Sequence, residues 1–294
     1  MRSTKMNLPG LIAAFAIMVC ASCSNNKNDT ADFRFNLQKG KTYEYNMDYD
    51  MEQNMQDQEI NTNLKGNYTL DVTADDGNIK TLKTTYQRIA MNVAMPGRTM
   101  SIDSDKADTA SKGEINDPSQ LMNAMFSALK GKSFMMKVDK EGKVLEVTGL
   151  NELAQAMVSS MNLKPEMRSM AQQAFSQQFN EQSVKDMFSQ SFNIFPNKPV
   201  KAGDTWEKSF SGSATLPIQM TTNYTVKSID GDFVILDSRS NLNFGDDNKM
   251  SGTQSGTMKV NAKTGLVEDG TFEQKVTGNM SMSTKGRITG KEKN

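Results

Sequence analysis

Polar and apolar residues alternate strictly from Tyr43 to Met51. Tyr43, Tyr45, Met47, Tyr49 and Met51 share one phase, and Glu44, Asn46, Asp48 and Asp50 share the other. A period of two places these sets on opposite faces of an extended chain, so the pattern predicts a half-buried strand. The next run repeats it, with Ile60, Thr62, Leu64, Gly66, Tyr68, Leu70 and Val72 in one phase. Asp75-Asp76-Gly77-Asn78 then supplies turn residues. A third strand is expected from Ile79 to Met95, with a phase slip between Tyr86 and Ile89 that reads as a bulge. Long strands with one apolar face are the pattern of an antiparallel sheet.

The period then changes. Asp117-Pro118 is a cap followed by proline, and Leu121, Met122, Met125, Phe126 and Leu129 follow at helical spacing before Gly131. A hairpin from Phe134 to Val147 turns at Lys140-Glu141-Gly142. Helical spacing resumes from Asn151 to Phe192, with Pro165 opening one helix and Asn180 capping another. Its apolar residues include Leu153, Met157, Met161, Met167, Met170, Phe175, Phe179, Met187 and Phe188.

Strand alternation returns after Pro199, where Leu216, Ile218, Met220, Thr222, Tyr224 and Val226 share a phase. Three segments match earlier ones in the same order. Leu37 to Tyr43 parallels Val200 to Trp206. Asn67-Tyr68-Thr69-Leu70 parallels Asn223-Tyr224-Thr225-Val226. Met136-Lys137-Val138 parallels Met258-Lys259-Val260. The order predicts a duplication: two β repeats, about 33–149 and 199–290, with a helical insert at 151–192.

The N-terminus carries an address. Arg2 and Lys5 precede an uncharged apolar run from Leu11 to Ala21. A membrane span needs about 20 apolar residues, so this run has the length of a secretory signal. It ends at Ser22-Cys23, where the small Ser22 before the cysteine suits lipoprotein processing, while the branched Val19 before Cys20 does not. Residues 1–22 are therefore read as the signal, Cys23 as the lipidated residue, and 23–32 as a polar tether. Residues 33–294 are read as one domain. Such leaders resemble those of Gram-negative lipoproteins, which implies the cell envelope and the outer membrane.

Composition narrows the chemistry. Lysine plus arginine and aspartate plus glutamate both number 34, without a polybasic cluster, which argues against nucleic acid. Histidine is absent, and Cys20 and Cys23 are the two cysteines. That removes the commonest general base and Cys/His zinc sites, and leaves no disulfide in the mature chain. No metal or other cofactor is expected. Methionine numbers 23, a side chain suited to adaptable apolar surfaces.

Three chemical motifs fail on context. Ser127 and Lys130 match Ser-x-x-Lys, and Lys263-Thr264-Gly265 matches Lys-Thr-Gly, as in penicillin-binding enzymes. The serine falls in the last turn of its helix, the second motif falls in a hairpin turn, and a Ser-Asp-Asn motif is missing. Asp103 and Glu114 stand at the ends of an EF-hand frame, but Ala107 and Asp108 occupy positions that need a ligand and a glycine. A solvated acidic loop is the expected reading. Paired glycosidase carboxylates have no support in the distribution of acids over turns and polar faces, or in a single tryptophan.

The lipobox, the long strands and the Met-rich helices resemble the lipoprotein-carrier architecture. The openings Lys39 to Tyr43 and Ala202 to Trp206 also resemble an uncharacterised group of bacterial lipoproteins. The resemblance implies a half-open barrel that carries acyl chains. The expected fold is therefore α+β: a duplicated, curved antiparallel sheet, half-open as a barrel, with the inserted helices on its concave face. The expected function is a non-enzymatic, membrane-anchored envelope lipoprotein that binds a hydrophobic ligand. Its candidate lining is Tyr43, Tyr45, Met47, Tyr49, Met157, Met161, Phe175 and Phe179. The alternative is an envelope scaffold that binds a protein or glycan partner.

Overall fold

The computed structural model describes residues 30–55, 58–106, 118–212, 217–245 and 250–293. The signal segment, Cys23, Asp108 and Glu114 lie outside these residues. Strands β1 (Thr42–Met55), β2 (Gln58–Asp75) and β3 (Ile79–Met95) form successive antiparallel hairpins, and β4 (Arg98–Asp103) folds back on the far part of β3. Alternation in Arg98 to Ile102 was the overlooked signal for β4. Helix α1 (Pro118–Leu129) leads to the hairpin β5 (Ser133–Asp139) and β6 (Val144–Thr148). Helices α2 (Leu150–Ser160), α3 (Pro165–Gln178) and α4 (Glu181–Phe192) follow. In α3 proline occupies the first turn, and in α4 Asn180 and Ser183 form a reciprocal capping box. The chain closes with β7 (Thr205–Ser211), β8 (Ile218–Asp230), β9 (Phe233–Phe244), β10 (Met250–Asn261), β11 (Val267–Thr277) and β12 (Ser281–Lys293).

All twelve strands belong to one antiparallel sheet in the order β6-β5-β3-β2-β1-β12-β11-β10-β9-β8-β7, with β4 beside β3. Among the described residues strand dominates, at 57% against 20% helix. The expected half-open barrel with helices on a concave face does not form. The strand path is linear, its ends β6 and β7 do not pair, and the sheet is open and uncurled. The helices gather toward one end: α1 lies against β4 and β3, α2 against α1 and β5, and α4 against β6. Connectivity is the cause. Three residues join α1 to β5 and one joins β6 to α2, so these short connections hold the helices near those strands.

The hydrogen-bond ladder aligns β1-β2-β3-β5-β6 with β7-β8-β9-β10-β11. The amides of Gly40 and Gly203 bond the carbonyls of Val72 and Val226. Register shifts fall after Val72 and Val226, and again between Lys137 and Val138 and between Lys259 and Val260. Tyr43 opposes Leu70, and Trp206 opposes Tyr224. Leu70 therefore corresponds to Tyr224, two residues away from the sequence match of Tyr68 with Tyr224. A slide of two keeps every side chain on its face, so strand patterns alone do not detect it. The phase slip in β3 is a bulge in which Gln87 is the extra residue.

Two segments, one of them the end of α4 and its continuation, cross the apolar face of the sheet. Residues 31–37 and 192–200 bond each other at Ala31 and Val200. The Phe35 amide donates to Lys140 O at 2.9 Å, and the Asn36 amide to Thr264 O at 2.9 Å. The first segment thus ties corresponding turns of both meanders. Phe33, Phe35, Leu37, Phe192, Ile194 and Phe195 are all buried. Trp206 donates its indole N–H to Ile194 O at 3.0 Å. Gly142 and Gly265 have φ of 83° and 71°, and a Cβ on either would collide with the carbonyl oxygen of Phe192 or Arg34. Glycine is required there by both the left-handed backbone and the close crossing.

The Thr84 hydroxyl is fully buried between Leu70 and Phe134 and has no hydrogen-bond partner. An unmade buried hydrogen bond destabilises by about 1–3 kcal/mol. Thr84→Val keeps the shape and should raise stability by about 1 kcal/mol, read as a higher denaturant midpoint at unchanged slope. A lower midpoint would show that the hydroxyl contributes to the fold.

Candidate functional site

The apolar face changes character along its strands. Near the crossing segments Tyr43, Tyr45, Tyr68, Leu70 and Leu82 are at most 5% exposed. Tyr45 stacks on Tyr68 at 5.4 Å between ring centroids, and Tyr68 meets Phe188 of α4 edge-on at 5.8 Å. Further along the same face, Met47, Tyr49, Met51, Leu64, Met91 and Val93 are only half-buried. Helix α4 reaches β1 and β2 at Tyr45 and Tyr68, through Phe192 and Phe188. The far part of the face is therefore sheet surface with apolar side chains and sparse cover.

One row of this face runs across ten strands: Trp206, Tyr224, Ser238, Gly256, Phe272, Gly286, Tyr49, Leu64, Met91 and Ile102. Gly286 separates Tyr49 from Phe272. The Phe272 ring occupies the space a Cβ at Gly286 would take, and it meets Tyr49 edge-on at 5.5 Å. An edge-on aromatic pair contributes about 0.5–1.5 kcal/mol beyond its buried area. Phe272 was not among the expected lining residues. The signal was present in the glycines at 252, 256, 270, 286 and 290, all on the phase of this face.

The expected lining divides. Tyr43, Tyr45 and Met157 are buried in the core, and Met47, Met161, Phe175 and Phe179 pack against it. The Tyr43 hydroxyl accepts from the Gln38 amide at 3.0 Å, which fixes the turn into β1. Of these eight residues Tyr49 alone lies outside that cluster, with Phe272. The structure thus brings the strand residues onto one face but assigns most of the set to packing.

The opposite face is polar. A groove of about 620 Å³ there is lined by residues including Asp48, Asp50, Arg239, Glu273, Lys285 and Arg287. Its charges alternate and bond within ladders: Lys65 to Asp48 at 3.1 Å, and Arg287 to Asp269 at 2.9 Å. Exposed pairs of this kind contribute little stability and keep the face solvated. Among the described residues no group of three or more His, Cys, Asp or Glu could hold a metal ion. Asp103, expected in a solvated acidic loop, is instead the buried last residue of β4, held by both Nε and Nη2 of Arg88, which keeps its carboxyl below the usual range. Ser127 donates to Asn123 O within α1, while Lys263 pairs with Asp232 in the β10–β11 turn.

The matching family model covers residues 77–267, from the β2–β3 turn to the start of β11. The chain belongs to a family of unknown function (DUF6263). No curated protein matches the chain. Among solved structures it is similar to lipovitellin, described for its lipid–protein interactions, at 9% identity and a TM-score of 0.50. That match covers 87% of this chain and 25% of the other, so the family member spans a quarter of the lipovitellin chain. The likeness is one of fold. The β domain of the Bordetella autotransporter BrkA aligns at 6% identity and a TM-score of 0.36, over 85% of this chain and 99% of the other. An outer membrane channel from Pseudomonas putida F1 aligns at 7% identity and 0.24, over 90% and 99%. The last two superpose too loosely to inform the site.

All six tyrosines hold their phenols above the ordinary range, with burial the leading cause. Tyr49, Tyr86 and Tyr224 are pushed up to about 12. An unfolded tyrosine ionises near 10. The unfolded state thus loses protons first, and stability falls as pH rises through that interval. The denaturation midpoint should be unaffected by tyrosine ionisation below about pH 10 and fall steeply toward about 12. Tyrosinate absorbance should appear together with unfolding. Tyrosinate forming near pH 10 in the folded chain would contradict the burial of these rings.

Proposed function

We propose that this family member is an envelope lipoprotein, anchored through lipidated Cys23, that binds a hydrophobic, lipid-like ligand without converting it. The observation that carries the reading is the gradient along β1–β3. The same face that is sealed at Tyr43, Tyr45 and Leu70 is only half-buried at Met47, Tyr49, Leu64 and Met91. A contiguous apolar patch on a soluble surface marks a site for another apolar body. Methionine and tyrosine fit a ligand of variable shape, the first by flexibility and the second by a rigid amphipathic ring. The similarity of fold to lipovitellin supports the reading. The leader sequence supports the anchor.

Two outcomes test it. Leu64→Gln with Met91→Gln, in the mature chain carrying Cys23→Ser, should weaken binding of an envelope lipid extract by about tenfold or more, since each buried side chain contributes about 1.5–3 kcal/mol. Native mass spectrometry reads the bound mass. A clean apo mass with no uptake, alongside a stoichiometric protein captured from crosslinked envelopes, would replace this reading with a scaffold. Separately, Cys23→Ser should move the chain from the membrane to the soluble fraction. Continued membrane association would sink the anchor.

A further inference from the structure

The row next to Tyr49 on the apolar face is divided in composition. It runs Lys208, Thr222, Ser240, Gln254, Gln274 and Thr284 over β7 to β12, then Met51, Thr62, Val93 and Met100 over β1 to β4. Half of one row is hydroxyl and amide, and the other half is mainly apolar. Beyond the polar half the face turns apolar again at Leu242 and Val276, both at most 2% exposed. Polar residues in this position are not the solvated side of the sheet.

Their hydrogen bonding is uneven. Thr222 and Ser240 are buried and satisfy each other at 2.8 Å. Gln254 and Gln274 oppose each other on neighbouring strands, are half-buried, and make no side-chain hydrogen bond among the described residues. Two adjacent amides, partly removed from water and unpartnered, have donors and acceptors left to offer. The inward positions of β8–β12 between Ile218 and Ile288 carry no charged side chain. Lys208, on edge strand β7, is the charged member of the row. Burial holds its ammonium below the ordinary range, against the pull of Glu141 and Asp139 and with the repulsion of Arg34. It lies three strands from Gln254, about 14 Å along the row.

We infer, resting on the ligand reading above, that Gln254 and Gln274 seat the neutral, hydroxyl-bearing head of an amphiphile whose chain lies across β1–β4. The spacing fits. Adjacent strands are about 4.8 Å apart, so Gln274 to Met100, five strands on, spans about 24 Å, the reach of a long acyl chain of about eighteen carbons laid across the strands. A neutral head exchanges water hydrogen bonds for amide ones. An anionic head would lose hydration without meeting a cation beside the two amides.

The test compares monooctadecanoylglycerol with octadecyl phosphate, which share a chain length and differ in the charge of the head, on the mature chain carrying Cys23→Ser. The neutral probe should bind about tenfold more tightly, as expected where a site hydrogen-bonds its ligand. Gln254→Leu with Gln274→Leu should bring the two within about twofold of each other, by loss of the neutral probe. Gln254→Lys, a check that does not depend on that double variant folding, should raise affinity for the phosphate. Equal binding by the unaltered residues, a preference for the phosphate, or a preference unmoved by these substitutions would overturn the head seat alone. No binding of either probe would overturn the ligand reading with it.

Discussion

A sheet of twelve strands presents one broad apolar face, and the free energy of the fold depends on how much of that face is taken from water. Helices cover only part of it, because they are held by short connections near β3 to β6. The decisive cover comes from residues 31–37 and 192–200. Phe33, Phe35 and Phe195 pack there with Trp206, Phe33 and Phe195 meeting edge-on at 5.6 Å. Each fully buried aromatic or aliphatic side chain contributes about 1.5–3 kcal/mol. The segments also bring peptide groups into an apolar interior, and these need partners. Lys140 O, Thr264 O and Val200 supply them, and the missing Cβ atoms of Gly142 and Gly265 allow the approach.

The same arrangement explains where the sheet is left open. The crossing segments seal the end that carries the paired turns at Gly40 and Gly203. Beyond Met47 the strands continue for several residues without comparable cover. A sheet uniformly covered would leave no room for a ligand, and one uniformly bare would invite aggregation. Here the strands extend from a sealed core into a half-buried apolar surface. The polar face balances this with alternating charges and Asn–carboxylate bonds, such as Asn63 to Asp50 at 2.8 Å and Asn67 to Glu44 at 2.7 Å. Those exposed groups hold the outer side in water and leave one side for apolar contact.

Much of the local structure was legible in the order of residues. Period-two runs located β1 to β3, Pro118, Pro165 and Asn180 located helix starts, and the slip at Gln87 located a bulge. The reason is that faces and caps depend on neighbours a few residues away. Correspondence between the two halves was legible at Gly40 and Gly203 but offset by two at Tyr68 and Tyr224. The pattern of a strand repeats every two residues, and only the ladder of hydrogen bonds distinguishes such slides. The candidate lining suffered similarly. Tyr43, Tyr45, Met47 and Tyr49 share a phase, yet the first two are sealed and the last is not, because depth depends on what crosses the strand.

The chain by itself determined which residues face together, where strands turn and where helices begin. Those features follow from steric periodicity and local hydrogen bonding. Folding in three dimensions decided that the sheet stays open, that β12 joins β11 to β1, and that Phe272 reaches Tyr49 across Gly286. It also decided that Gln254 and Gln274 lie in one row with Met51. These relations join residues distant in sequence, and they arise only when the strands choose their neighbours to remove the common apolar face from water.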